Sequence, residues 1–208
     1  MIRIFLLLTF GLLLLPSAHA EGRSEALDRF LKSLDSLQAG FRQKLFNELG
    51  EELETSSGIV YLQRPGKFRW IYQEPYSQMI ITDGRTLWLY DEDLEQVTIK
   101  DVSDTIEDTP AAILSGDEKF DEHFIAAEMG SIEGYDWVEL TPRDAENQYK
   151  NIRLGFDDGS IGMMVLSDNL GQVTRIDFTG AERNIPLDDA LFTFDPPEDV
   201  DVIDERRY

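Results

Sequence analysis

The sequence contains no cysteine among its 208 residues. This excludes a disulfide framework, and it also excludes the lipid-modified cysteine on which a bacterial lipid anchor is built. Zinc and copper sites need clustered histidine or cysteine, and the chain has only two histidines. The fold must therefore be held by a hydrophobic core, and we predict no metal and no cofactor.

Motifs for catalysis are also scarce. His123 lies in the polar stretch DEKFDEHF, no G-x-S-x-G motif accompanies it, and a solvated helix residue is predicted. The acidic cluster Asp91-Glu92-Asp93 lacks the ligand spacing of a calcium loop and is typical of a turn. We predict that the protein is not an enzyme. A hydrolase acting through paired carboxylates stays open as an alternative, although nothing singles out a pair.

Positive charge is in short supply, with 19 basic against 41 acidic residues and a net charge of −22. Such a field repels nucleic acid and anionic lipid head groups and favours a basic partner. The same charge would also keep an exported protein soluble. We therefore expect no nucleic acid as a partner, and both explanations of the charge stay open.

Long apolar runs are confined to the N-terminus, MIRIFLLLTFGLLLLPSAHA. Arg3, the apolar run 4–15 and the ending Ala18-His19-Ala20 predict a secretory signal peptide over residues 1–20, cleaved after Ala20. The alternative, a signal anchor, is disfavoured because Pro16 and the small residues interrupt the run. We expect residues 21–208 to form a single domain outside the cytoplasm.

A helix is predicted over residues 24–37, where apolar residues recur every three or four positions. From Ala39 the period changes to two, which indicates a strand, and we expect a turn over 48–54. Short segments rich in β-branched and aromatic residues then alternate with turn signals such as Asp83-Gly84. We predict strands at 58–64, 67–73, 77–82, 86–91, 95–100, 136–140, 150–156, 161–167 and 172–178. This pattern predicts a mainly antiparallel sheet, as a sandwich or a barrel.

That pattern is lost between residues 101 and 130, where short helices are predicted at 110–115 and about 118–125. Residues 186–194 predict a turn into a last short strand. The proline-rich, acidic end from Asp195 is expected to be loosely held.

Residues 57–99 read SGIVYLQRPGKFRWIYQEPYSQMIITDGRTLWLYDEDLEQVTI. The Arg-Pro pair, the Phe-x-Trp, the Asp-Gly-x-Thr-Leu-Trp hairpin and the following Gln resemble, in order and spacing, the central signature of the periplasmic outer-membrane lipoprotein carrier family, LolA. Weaker similarity extends from the first helix to Phe192-Thr193-Phe194 and Pro196-Pro197.

The resemblance implies a fold and a function. The fold is α+β and mainly β: an unclosed antiparallel β-barrel covered by a lid of about three short helices, with a hydrophobic cavity between. The function is that of a soluble, monomeric periplasmic carrier. It accepts triacylated lipoproteins from an inner-membrane ABC transporter and delivers them to an outer-membrane receptor. The alternative is a periplasmic sensor or regulator of the same fold that binds a membrane partner or a lipid signal.

The resemblance also implies roles for particular residues. Arg64 is similar to the arginine that fastens the lid, a role suited to its five donors and permanent charge. Phe68 matches a position that contacts the transporter. The acyl-chain cavity would be lined by Leu31, Leu34, Trp70, Ile113 and Leu114. Without the resemblance, Arg64 would be a surface arginine paired with an acid, and the apolar residues would be plain core.

One departure concerns Ala111-Ala112, where the family pattern has bulkier side chains. This puts in question how full the empty cavity is, and hence the preferred cargo.

Overall fold

The structure, a computed structural model, describes residues 24–102, 110–115 and 120–206. These residues form one sheet of twelve strands with three short α-helices. The strands are β1 Ser36–Phe46, β2 Glu52–Gln63, β3 Lys67–Glu74, β4 Gln78–Thr82, β5 Thr86–Asp91, β6 Gln96–Asp101, β7 Phe124–Ile132, β8 Tyr135–Pro142, β9 Tyr149–Asp157, β10 Ser160–Asp168, β11 Val173–Arg183 and β12 Asp201–Asp204. The helices are α1 Glu25–Ser33, α2 Pro110–Ser115 and α3 Phe120–His123.

The strand order across the sheet is β12-β6-β5-β4-β3-β2-β1-β11-β10-β9-β8-β7. Neighbouring strands pair antiparallel except at one edge, where β12 runs parallel to β6. The sheet curves without closing, because β12 and β7 are its two edges and do not pair with each other. The prediction of an unclosed, mainly antiparallel barrel is confirmed, with the parallel β12 as an addition.

Each strand sends alternate side chains to opposite faces, which is why the two-residue period defines the core. The concave face carries the main core. In register across it, Leu37 lies opposite Leu62, which lies opposite Phe68. Along β1, Ala39 and Phe41 occupy the same face and are buried. Both α1 and α2 pack buried side chains into this core.

A second, smaller group of buried side chains lies on the convex face. Ile81 is fully buried there, on the same face as Arg69, with which it pairs in register. The Arg69 Nη1 group donates to the carbonyl oxygen of Leu191 at 3.2 Å, and Phe192 is buried. The C-terminal segment 189–194 therefore covers part of the outer face of the sheet.

Two predictions for the C-terminal segment were wrong. Residues 186–194 do not form a strand; Asp189–Phe192 is a 3₁₀ turn whose N-cap carboxylate, Asp188, accepts from the Ala190 N–H. The end of the chain is not loosely held over its described part, because β12 pairs with β6 and the Glu205 N–H donates to the Ile99 carbonyl oxygen.

Three other boundaries differ from the predictions. The first helix ends at Ser33, since Leu34 adopts extended angles (φ −105°, ψ 112°), and Leu37 belongs to β1. The acidic stretch 48–54 is a turn only at its start, because β2 begins at Glu52. Of the predicted helix at 118–125, the described residues contain α3, and β7, a strand that the sequence did not predict, follows it directly from Phe124.

Candidate functional site

The concave face combines a large apolar surface with helices that cover it. In the spatial order of the sheet, every strand from the edge strand β7 across to β5 contributes side chains to one continuous core. On the strands, its fully buried members include Leu37, Val60, Leu62, Trp70, Val138, Leu140, Ile152, Leu154, Met164, Leu166 and Ile176. Burial of so much aliphatic surface against helices, instead of a second sheet, leaves a surface that is exposed to water whenever the helices move away.

Four aromatic rings meet in the middle of this face. The Phe41 ring lies 4.5 Å from that of Trp70 and 5.2 Å from that of Tyr72, measured between centroids, and Phe178 lies 6.1 Å from Trp70. Gly58 makes room for Phe41, because a Cβ at Gly58 would sit 1.8 Å from the carbonyl oxygen of Ile71 and 3.0 Å from the Phe41 ring. The cluster fixes the position of Trp70.

Tyr72 marks the transition from apolar to polar surface along the same strand. Its hydroxyl donates to Gln43 Oε1 at 3.1 Å. Burial raises the pKa of Tyr72 to about 12, because the phenolate would lose its hydration. The hydroxyl therefore stays protonated and acts as a hydrogen-bond donor at neutral pH.

Beyond Tyr72 the concave face opens into a pocket of about 340 Å³. Its lining is largely polar: Gln43, Glu54, Ser56, Tyr72, Glu74, Pro75, Tyr76, Gln78 and Ile80. We call this region the pocket end. It provides a wetted opening next to the aromatic cluster.

Helix α1 covers another part of the face and is amphipathic. Leu27, Phe30 and Leu31 are buried beneath it, and the Phe30 ring packs 5.1 Å from that of Phe156. The N-cap Ser24 accepts from the Leu27 N–H. The Glu128 carboxylate on β7 accepts from the Glu25 N–H at 2.8 Å and from the Ser24 hydroxyl at 3.2 Å. A negative charge therefore faces the positive end of the helix dipole.

The C-terminal end of α1 is tied to the sheet by three side chains. Arg64, which directly follows β2, donates through Nη1 to the carbonyl oxygen of Leu31. Asn184 donates to the Ser33 carbonyl oxygen at 2.8 Å. Arg183 donates to the Ser33 hydroxyl at 2.5 Å. We call this region, Arg64, Arg183 and Asn184 around the last turn of α1, the tied end.

Arg64 thus lies against the predicted lid helix, while its role as a latch stays a prediction. Three other residues hold α1 and were missed by the sequence analysis: Glu128, Arg183 and Asn184. Asn184 has a positive φ of 56°, which asparagine tolerates, and Pro186 follows shortly after. That local signal indicates a turn, but it does not indicate a contact with a helix about 150 residues away in the sequence.

The residues predicted to line a cavity lie together on the concave side. Leu31 and Leu34 are buried at α1, Trp70 is buried on β3, and Ile113 and Leu114 are buried on α2. Helix α2 packs against β2 and β3. The side chains of Ala111 and Ala112, on which the expectation about the cavity rests, lie outside the described residues.

Phe68, the predicted transporter contact, is 2% exposed and lies on the concave face opposite Leu62 and Thr82. A protein partner would reach it only after the side chains that bury it had moved. Its role stays a prediction.

In the described ranges, no group of three His, Cys, Asp or Glu side chains could hold a metal ion. Every helix within those ranges is too short or too polar to span a bilayer. The predicted signal peptide, residues 1–20, lies outside the described residues.

Sequence comparison identifies the relatives of this chain. The family profile described as outer membrane lipoprotein carrier protein LolA matches residues 32–195. The outer-membrane lipoprotein carrier protein of Nitrosospira multiformis is 40% identical over 202 residues, which cover 97% of both chains. That of Methylococcus capsulatus is 42% identical over 180 residues, or 86% of both chains.

Comparison of structures supports the fold. An uncharacterized conserved protein from Thermus thermophilus is similar with a TM-score of 0.58 over 88% of this chain and 98% of that chain, at 15% sequence identity. A DUF1329 family protein from Desulfovibrio piger has a TM-score of 0.52 over 81% and 94%, at 14% identity. At such identities the likeness concerns the fold alone. The profile match and the identities to curated relatives show that this chain belongs to the LolA family of outer membrane lipoprotein carrier proteins.

Proposed function

We propose that this protein is a periplasmic carrier of outer-membrane lipoproteins, not an enzyme. It accepts triacylated lipoproteins from an inner-membrane ABC transporter, shields their acyl chains on the concave face, and delivers them to an outer-membrane receptor. The observation that carries the proposal is the apolar concave face, covered by a helix that polar bonds hold at both ends. Family membership gives the class of cargo.

The physical need for such a carrier is large. Each methylene group removed from water is worth about 0.8 kcal/mol, so three acyl chains cannot cross an aqueous compartment unshielded. A carrier must also release its cargo, which requires a closed and an open state that differ in affinity. A short helix on a curved sheet can supply both states, because α1 can leave without breaking any strand pairing.

The function is tested by reconstitution. Proteoliposomes that hold a triacylated lipoprotein and its export transporter are mixed with purified protein and ATP. We expect lipoprotein to appear in the soluble fraction as a one-to-one complex with this protein. No complex, with a transporter that is active on another carrier, would contradict the proposal and favour the sensor or regulator alternative.

The proposed latch is tested with Arg64→Leu. The Arg64 bond to Leu31 exists only while α1 is closed, so its loss favours the open, loaded state. A hydrogen bond to a charged group is worth about 1.5–3 kcal/mol. We therefore expect the variant to transfer bound lipoprotein to the receptor at least about tenfold more slowly than the parent does. Transfer is measured by following the cargo from the purified complex to receptor-containing liposomes.

The matched control is Arg175→Leu, since Arg175 pairs with Asp177 on its own strand at 2.8 Å instead of contacting α1. Equal transfer rates for the two variants would show that Arg64 is a surface arginine and not a latch.

A further inference from the structure

The indole N–H of Trp70 is an unused hydrogen-bond donor in the interior of the protein. Trp70 is 1% exposed, and within the described part of the chain its Nε1 atom has no acceptor. Buried polar groups of native proteins are nearly always paired, so an unpaired donor calls for a physical reason. An acceptor that arrives with a ligand is one such reason.

The surroundings of Trp70 offer a water molecule few polar partners. Val60 and Ile80 flank Trp70 in register on the neighbouring strands, and the rings of Phe41 and Phe178 pack against it. Water in such a site would need two or more polar partners. The Tyr72 hydroxyl, which donates to Gln43 Oε1, lies close enough to the indole for the indole to lower the Tyr72 pKa, but its oxygen does not reach hydrogen-bond geometry with the indole N–H.

Trp70 also lies where the polarity of the concave face changes. On one side, Phe68 and Leu62 continue the apolar surface. On the other, Tyr72 and the cross-strand neighbour Ile80 both line the pocket end. A ligand whose polar linkage groups join long hydrocarbon chains matches this gradient, because its carbonyl oxygens lie where the hydrocarbon begins.

We propose that the Trp70 indole N–H donates a hydrogen bond to an acyl carbonyl oxygen of the bound lipid. The acyl chains then extend over the apolar surface, while the linkage faces the pocket end. The inference rests on the proposed carrier function, which supplies a ligand with two ester carbonyls and one amide carbonyl. Trp70 is then a binding residue that positions the cargo, in addition to forming part of the wall.

The probes are a triacylated cysteinyl peptide and its analogue with ether links in place of the two esters. Trp70 is replaced by 3-benzothienylalanine, which keeps the bicyclic shape and lacks the N–H. We expect this variant to bind the ester probe about threefold to tenfold more weakly than the parent does. We expect the empty variant to be at least as stable as the parent, because it lacks an unpaired donor.

The ether probe identifies which carbonyl accepts the bond. If an ester carbonyl is the acceptor, the parent and the variant bind the ether probe equally. If the variant binds both probes more weakly than the parent does, and by the same factor, the acceptor is the amide carbonyl. Trp88→Phe, on the convex face of the same half of the sheet, is the control and should bind both probes as the parent does.

Nuclear magnetic resonance of the indole N–H gives a readout that a purely structural role would not move. The Trp70 signal, assigned by its absence from Trp70→Phe, should shift downfield on binding of the ester probe. Equal affinities of parent and variant for both probes, with no shift, would overturn the inference while leaving the carrier function intact. A shift of the same size caused by Tyr72→Phe in the empty protein would reveal an internal acceptor and also overturn it. If neither probe binds the parent, the carrier function itself fails.

Discussion

The tied end and the pocket end of the concave face differ in how they meet water: the first is covered by a helix and the second is open. At the tied end, side chains from outside α1 bind backbone and hydroxyl groups of its last turn, and the surface beneath is apolar. At the pocket end, polar side chains such as Tyr72 and Gln43 bind each other and face an opening. A few removable bonds therefore close the apolar part of the face, whereas the polar part needs no cover.

The largest expected effect is at the tied end, where Phe30 anchors α1. Phe30→Ala removes a ring that is 1% exposed and packs on Phe156, so we expect a loss of about 3–5 kcal/mol in the free energy of unfolding. The measurement is urea denaturation. Tyr76→Ala at the pocket end is the control, since Tyr76 is 60% exposed and its loss should cost about 0.5 kcal/mol or less. Similar costs for both variants would contradict the packing of α1.

A smaller effect, at the pocket end, depends on pH. The pKa of Tyr72 is raised to about 12 in the folded protein from about 10 when unfolded. Above pH 10 the unfolded chain loses this proton first, so the free energy of unfolding falls as pH rises towards 12. The full contribution is about 2–3 kcal/mol.

Tyr72→Phe has no proton to lose, so the difference between the parent and this variant isolates the effect. Their free energies of unfolding are compared by denaturant titration between about pH 9 and 12. Parallel pH profiles for the two proteins would show that Tyr72 is not buried as described.

The smallest expected effect concerns the other end of α1. Glu128→Gln keeps an acceptor for the Glu25 N–H and removes the charge that faces the helix dipole, so we expect a loss of about 0.3–1 kcal/mol. The loss should shrink in high salt, which screens the interaction. Glu182→Gln, an exposed residue of β11, is the control for the removal of one negative charge; an equal loss there would show that the loss does not come from the helix dipole.

Much of the fold follows from local patterns. Alternating apolar residues and turn signals placed β2–β6 and β8–β11 to within a few residues, except at the start of β2 and the end of β11. The spacing of apolar residues failed where two elements share one core. Leu34 and Leu37 continue the helical spacing of α1, yet the chain is already extended at Leu34. Both lie in the same core, so burial alone cannot distinguish helix from strand.

The predictions also failed for elements that are ordered by pairing with distant strands and not by their own sequence. The residues of β7, FIAAEMGSI, include alanines and a glycine, and most are exposed, so the strand exists through its pairing with β8. The C-terminal segment is acidic and rich in proline, but Phe192 and β12 attach it to the sheet.

The candidate site shows the same division. Local periodicity predicted the burial of the apolar residues, whereas the resemblance supplied both their expected place in a cavity and the expected role of Arg64. Glu128, Arg183 and Asn184 could not be predicted, since each contacts α1 from 103 to 151 positions away in the sequence. Because the chain has 41 acidic residues, the local sequence gives no reason to choose Glu128 among them.

The place of β1 in the sheet has a consequence for how the protein folds. β1 pairs with β2, its neighbour in sequence, and with β11, and nine strands lie between β1 and β11 along the chain. Closing so long a loop costs entropy that only the completed core offsets, and pairings of this kind fold slowly. The two halves of the sheet meet at this one seam. A nascent chain therefore cannot complete its interior until almost all of it has been synthesised.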